Sequence, residues 1–199
     1  MERMSTKKKT VLLALAILLV IEICFAVWEY ILRPNANLCE NPYGITIHGI
    51  TIHCKDEALL QECVTELDKL PDGLMERFKE DGWALWIGDS YLADVRRAYR
   101  NEEIMGMTRP VGKEILVSGA DQIAHEFGHF VYTVLGEPED FQQVYEQEAT
   151  KAYLPSYCTA DAHEYFAQGF ACCVNGIDAF ATADATRAYF NRLHDSGWV

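Results

Sequence analysis

The stretch Ala124-His125-Glu126-Phe127-Gly128-His129-Phe130 decides how this chain is read. It is an H-E-x-x-H pattern set in an apolar, helix-forming run. Histidines four apart on a helix are separated by about 400° of turn, so both leave one face, a turn apart. Two imidazoles placed this way can reach one Zn²⁺ at about 2.0–2.1 Å. Glu126 stands beside the first histidine, where a carboxylate can take a proton from water at the ion. The flanking residues predict a helix over Asp121–Leu135. Ser118 with Asp121 three residues on resembles a capping box before it, and Gly136 with Pro138 stops it. Ile123, Phe127, Phe130, Val131 and Val134 supply the buried face, leaving His125 and His129 toward a cleft. The plainer reading is a surface helix with two unrelated histidines, and a third ligand would argue against it.

A catalytic zinc takes three protein ligands and keeps one position open. Metzincins place Gly and His three and six residues after the second histidine. Here Tyr132 and Leu135 stand there, and no methionine follows Met107, so that class is excluded. The other main solution is a glutamate on a second helix. Glu164 follows His129 by 35 residues, with an intervening helix that lets the chain return antiparallel. Glu137 and Glu139 would require a sharp fold-back, and Glu146, Glu148 and His163 are further candidates.

Upstream, Gly44-Ile-Thr-Ile-His48 is repeated as Gly49-Ile-Thr-Ile-His53, which predicts strand with a turn or bulge at Gly49. His48 and His53 read as polar positions on that strand. Asp56–Leu70 reads as a helix with an aspartate N-cap, followed by a short helical piece over Leu74–Lys79. Trp83–Ile87 is an apolar strand, Tyr91–Arg100 is helical or irregular, and Gly106–Val117 ends in a strand, Glu114–Val117. Pro110 marks that strand as an edge, which could take an extended peptide by β-augmentation, touching Met105, Met107 and Arg109. Downstream the pattern predicts helices over Glu139–Tyr153, from Thr159 or Asp161 to Asn175-Gly176, and over Thr182–His194.

The first 43 residues differ in kind. Arg3, Lys7, Lys8 and Lys9 precede a 22-residue stretch, Val11–Leu32, whose only charges are Glu22 and Glu29. As a helix it would span about 33 Å, enough to cross a bilayer. The basic flank predicts a cytoplasmic start (1–10) and a single-pass anchor (11–32). A linker (33–43) then leads to one extracellular domain (44–199). A cleaved signal peptide, giving a secreted protein, is the alternative. From Arg33 onward 13 basic and 27 acidic residues leave a net charge of −14. That acidity argues against nucleic acid and anionic lipid as partners. Six of the seven cysteines lie beyond the anchor, which permits disulfides or buried thiols alike.

The combination of His125-Glu-Phe-Gly-His129, Tyr157 and Glu164-Tyr-Phe-Ala-Gln-Gly-Phe170 resembles the anthrax-lethal-factor-like metalloprotease domain. That group includes secreted proline–proline endopeptidases of Gram-positive bacteria. The resemblance covers most of Ile45–Leu193 in element order and is motif-grade from Gly106 onward. It implies an α+β, zincin-like single catalytic domain: a small mixed sheet and active-site helix, then a helical C-terminal half. It also implies one zinc per chain on His125, His129 and Glu164, Glu126 as general base, and Tyr157 assisting the oxyanion. The substrate would be a protein or peptide lying extended along the edge strand. Gln168 departs from the pattern, because relatives carry a glutamate there that supports a ligand histidine. A weakly active or inactive tethered peptide-binding domain is the alternative function.

Overall fold

The computed structural model describes residues 44–198. The expected cytoplasmic segment, anchor and linker therefore lie outside the described residues. Among the described residues no helix is long and apolar enough to cross a membrane.

The duplicated Gly-Ile-Thr-Ile-His units fold back on each other. β1 (Gly44–Ile47) and β2 (Ile50–Cys54) pair antiparallel with Ile47 opposite Ile50. His48 and Gly49 make the two-residue turn at φ +51° and +78°. Both positive values match the turn that suits the twist of paired strands. Neither histidine of the repeat joins a metal group. His48 bonds Asp68 at 2.8 Å, and His53 stacks on Trp86 with ring centroids 3.7 Å apart.

Asp56 starts α1 (Glu57–Leu67) as expected, its Oδ1 accepting from the N–H groups of Ala58 and Leu59. After α2 (Asp72–Glu80), β3 (Ala84–Ile87) runs parallel to β2. Next comes α3 (Asp89–Tyr99), a regular helix. Its Tyr91, Leu92 and Val95 cover Leu116 on one face of the sheet. β4 (Gly106–Arg109) and β5 (Glu114–Val117) form an antiparallel hairpin, and β5 pairs parallel with β3. The strand order is β1-β2-β3-β5-β4. The edge expectation is thereby corrected in detail. Glu114–Val117 is an interior strand, the edge is Gly106–Arg109, and Pro110 sits in the turn between them.

The other sheet face carries Ile50, Ile52, Leu85, Ile87, Ile115 and Val117 into the main core. α4 (Ile123–Val134) lies on it, with Phe127 and Phe130 4.8 and 5.1 Å from Phe78 between ring centroids. Both phenylalanines are fully buried, so truncating either to alanine would cost about 3–5 kcal/mol. Val134, expected inside, is only half-buried. The rest is helical: α5 (Glu139–Glu148), α6 (Ala162–Val174) and α7 (Asp184–Ser196). Phe141, Phe166, Tyr189 and Phe190 knit these together. α5 ends earlier than Tyr153, the chain passing into a 3₁₀ turn, Ala149–Lys151, after buried Glu148. Its Oε2 accepts from the Thr186 N–H at 2.7 Å, satisfying the start of α7.

The architecture is thus the expected α+β arrangement of a small mixed sheet followed by a helical C-terminal half. No disulfide links any two described cysteines, and Cys63, Cys158, Cys172 and Cys173 are free thiols.

Candidate metal centre

The centre is built on two helices that nearly touch. A Cβ placed on Gly128 of α4 would lie 2.6 Å from Ala167 Cα and 2.7 Å from its carbonyl oxygen on α6. Only glycine allows that approach. His125 precedes Gly128 by three residues, and Glu164 precedes Ala167 by three. The contact therefore sets the one pair of groups against the other.

Each helix is started so as to hold its ligand. Asp161 Oδ1 accepts from the Glu164 N–H at 2.9 Å, fixing the first turn of α6. The expected cap on α4 is not formed. Ser118 Oγ donates to the Met105 carbonyl at 2.9 Å instead, because Ser118 extends the β4–β5 ladder. The chain enters α4 through a 3₁₀ turn, Ala120–Gln122.

His125 Nε2 lies 3.3 Å from Glu164 Oε2, and His129 Nε2 lies 3.6 Å from Glu164 Oε1. Ligands about 2.0–2.1 Å from a tetrahedral zinc stand roughly 3.3 Å apart, so these separations fit one ion. His125, His129 and Glu164 could hold a metal ion, and no other group of three or more such side chains gathers this way among the described residues. The other third-ligand candidates are outside this group, although Glu137 and His163 line the same cleft. Glu137 is exposed and faces His163 at 3.8 Å, Glu146 accepts from Gln142, and Glu148 is committed to Thr186.

His125 Nδ1 is 3.2 Å from Gln168 Oε1. An amide oxygen only accepts, so Nδ1 carries a proton; Nε2 donates to Glu164 when the ring is charged, and would turn its lone pair to an ion when the ring is neutral. Gln168 thus does the orienting work of a carboxylate without its charge. Two thiols flank the amide: Cys158 Sγ at 3.6 Å from Oε1, and Cys172 Sγ at 3.7 Å from Nε2.

The charges are strongly perturbed. Burial pulls the His125 pKa down, but the Glu164 hydrogen bond and the charges of Glu126 and Glu164 outweigh it, and the net shift is upward. Burial and the neighbouring His125 charge push His129 down to about 4. The hydrogen bond with His125 holds Glu164 below its ordinary value, against burial. Glu126 is only 4% exposed, and burial raises its pKa to about 7.

No protein-family model matches the chain, and no curated protein matches it. The site therefore stands on its own geometry.

A cleft of about 850 Å³ opens on the centre. Its walls bring together His125, Glu126, His129, Tyr157 and Glu164, all five residues that the sequence singled out. Tyr157 sits on a 3₁₀ turn, Ser156–Thr159, and is 60% exposed. Its hydrogen bond with Cys158, then burial, raises its pKa to about 12, so the phenol stays protonated at neutral pH. Met105 and Met107 line the cleft, whereas Arg109 pairs with Glu114 at 3.4 Å and is not part of the wall. Sequence reasoning missed Gly106 and Thr108, which pack directly on Glu126. Their only signal was their place on the strand before the motif.

Proposed function

We propose that the chain is a zinc-dependent endopeptidase of the lethal-factor-like, zincin type, acting on extracellular or surface proteins. The observation that carries this reading is a buried, protonatable Glu126 adjoining a three-ligand group at the floor of an open cleft. Zinc on His125, His129 and Glu164 would supply a Lewis acid for water and for the scissile carbonyl. Glu126, with a pKa near 7, is poised to accept the water proton and pass it to the leaving amine. Tyr157 keeps its proton and donates it as a hydrogen bond to the developing oxyanion, worth about 3 kcal/mol for a well-placed donor. β4 is the last strand of the sheet among the described residues, and its outer main-chain edge is where an extended peptide would add. The N-terminal segment 11–32 would hold the domain at the outer face of the membrane.

The test is digestion of a broad peptide library, including proline-rich members, read by mass spectrometry with a chelator control. Glu126→Gln should keep its metal and lower turnover by about 10²–10⁴. Tyr157→Phe should fall between that variant and wild type. A metal-loaded wild type that cuts nothing would leave a tethered peptide-binding domain as the better reading.

A further inference from the structure

We propose that Gly106 and Thr108 of the edge strand form a seat for the Glu126 carboxylate, with Thr108 a positioning residue for the general base. The inference rests on the metallopeptidase reading above and adds the part of the machinery that lies outside the H-E-x-x-H motif.

The strand geometry comes first. Residues two apart on a strand point to one face, and Gly106 and Thr108 pair with Val117 and Ile115 of β5. Ile115 and Val117 are buried in the main core, so Gly106 and Thr108 also face α4. Glu126 leaves α4 toward them. Thr108 Oγ1 is 2.7 Å from Glu126 Oε2 and 2.9 Å from the Glu126 carbonyl oxygen. The carboxylate and the carbonyl can only accept, so the hydroxyl donates and its single proton serves both. One threonine therefore ties the side chain and the main chain of the same residue to the strand.

Gly106 makes the room. A Cβ there would overlap Glu126 Oε1 and stand 2.8 Å from Cδ and Cγ. Its φ is not among the left-handed values, so the backbone would accept alanine, and only the carboxylate forbids it. The terminal torsion of a glutamate is otherwise broad and nearly two-fold. Here one oxygen is held by Thr108 and the other is walled by Gly106, which leaves a single setting. The inward face of β4 thus fixes the base, while on its outward edge no further strand pairs among the described residues. A variant that loosens the seat should spare substrate binding and slow chemistry.

The experiment uses Thr108→Val, Thr108→Ser and Gly106→Ala, each in the full chain and each with metal content measured. In the metal-free protein, Thr108→Val should lower Tm by about 3–8 °C, since it strands a buried acceptor. In a Glu126→Leu background the same change should move Tm little. In the loaded protein, kcat should fall about 10–10²-fold for Thr108→Val and Gly106→Ala at an unchanged KM. Thr108→Ser, which keeps the hydroxyl, should restore most of it. Additive Tm shifts, or a Thr108→Val enzyme with wild-type kcat, overturn the inference. So does a Thr108→Ser variant as slow as Thr108→Val. A wild type that cleaves no peptide overturns the metallopeptidase reading and with it any catalytic duty for Thr108. The coupling in the metal-free protein then still decides whether the seat exists.

Discussion

Replacing Glu126 by glutamine should make the metal-free protein more stable, and only above a defined pH. The carboxyl is buried and its pKa rises from 4.5 to about 7 on folding. Between those values the native state holds a proton that the unfolded chain has released. Stability therefore falls as pH rises through the window. At 1.36 kcal/mol per unit the loss reaches about 3 kcal/mol at pH 8. Glutamine has no charge to desolvate, and its carbonyl oxygen can still accept from Thr108. The variant should match wild type near pH 4.5 and exceed it by about 3 kcal/mol at pH 8. The assay is urea unfolding of both proteins with chelator present, at half-unit steps from pH 4.5 to 8. With an m value of about 2 kcal/mol/M, the midpoints should separate by roughly 1–2 M at the upper end. Adding the metal should narrow the gap, because a dication beside the carboxylate favours its charged form. Midpoints that differ by the same amount at every pH would refute the reasoning.

Removing a ligand should remove the ion: His129→Ala and Glu164→Gln should each lose bound zinc on metal analysis, and full retention in Glu164→Gln would move the third ligand elsewhere. Gly128→Ala touches no ligand but must push α6 away from α4, so Tm should drop by the equivalent of about 1–3 kcal/mol and zinc affinity with it. Gln168→Ala leaves His125 Nδ1 without its acceptor and should weaken zinc binding by about 10–100-fold in a competition titration, with Gln168→Glu recovering or exceeding wild type.

What was legible in the sequence was local. The spacing of His125 and His129 follows from the helix repeat, and the Asp56 and Asp161 caps act within three residues of themselves. Glu164 needed one further step, the return of a second helix, and resemblance narrowed the choice to it. The misread elements each depended on something distant. Ser118 has the right chemistry for a cap, yet the Met105 carbonyl thirteen residues away takes its hydroxyl. Tyr91–Arg100 is not misread but open between helix and irregular chain, because Tyr91, Leu92 and Val95 give a weak signal until Leu116 offers them a face to cover. Gly106 and Thr108 look like any strand residues, since their meaning lies in a carboxylate about twenty positions on. The second glycine of this story, Gly128, occupies an unspecified place in the motif, and nothing in metal chemistry asks for it.

That last contact bears on what ordering the site would demand. Gly128 lies against Ala167 through backbone and core packing, and no donor atom takes part in that contact. The three donor atoms stand within 4.8 Å of one another on helices spaced in this way. If the metallopeptidase reading proposed above holds, uptake of the ion would cost the chain little ordering. Supply of zinc, rather than completion of the fold, would then be the throttle.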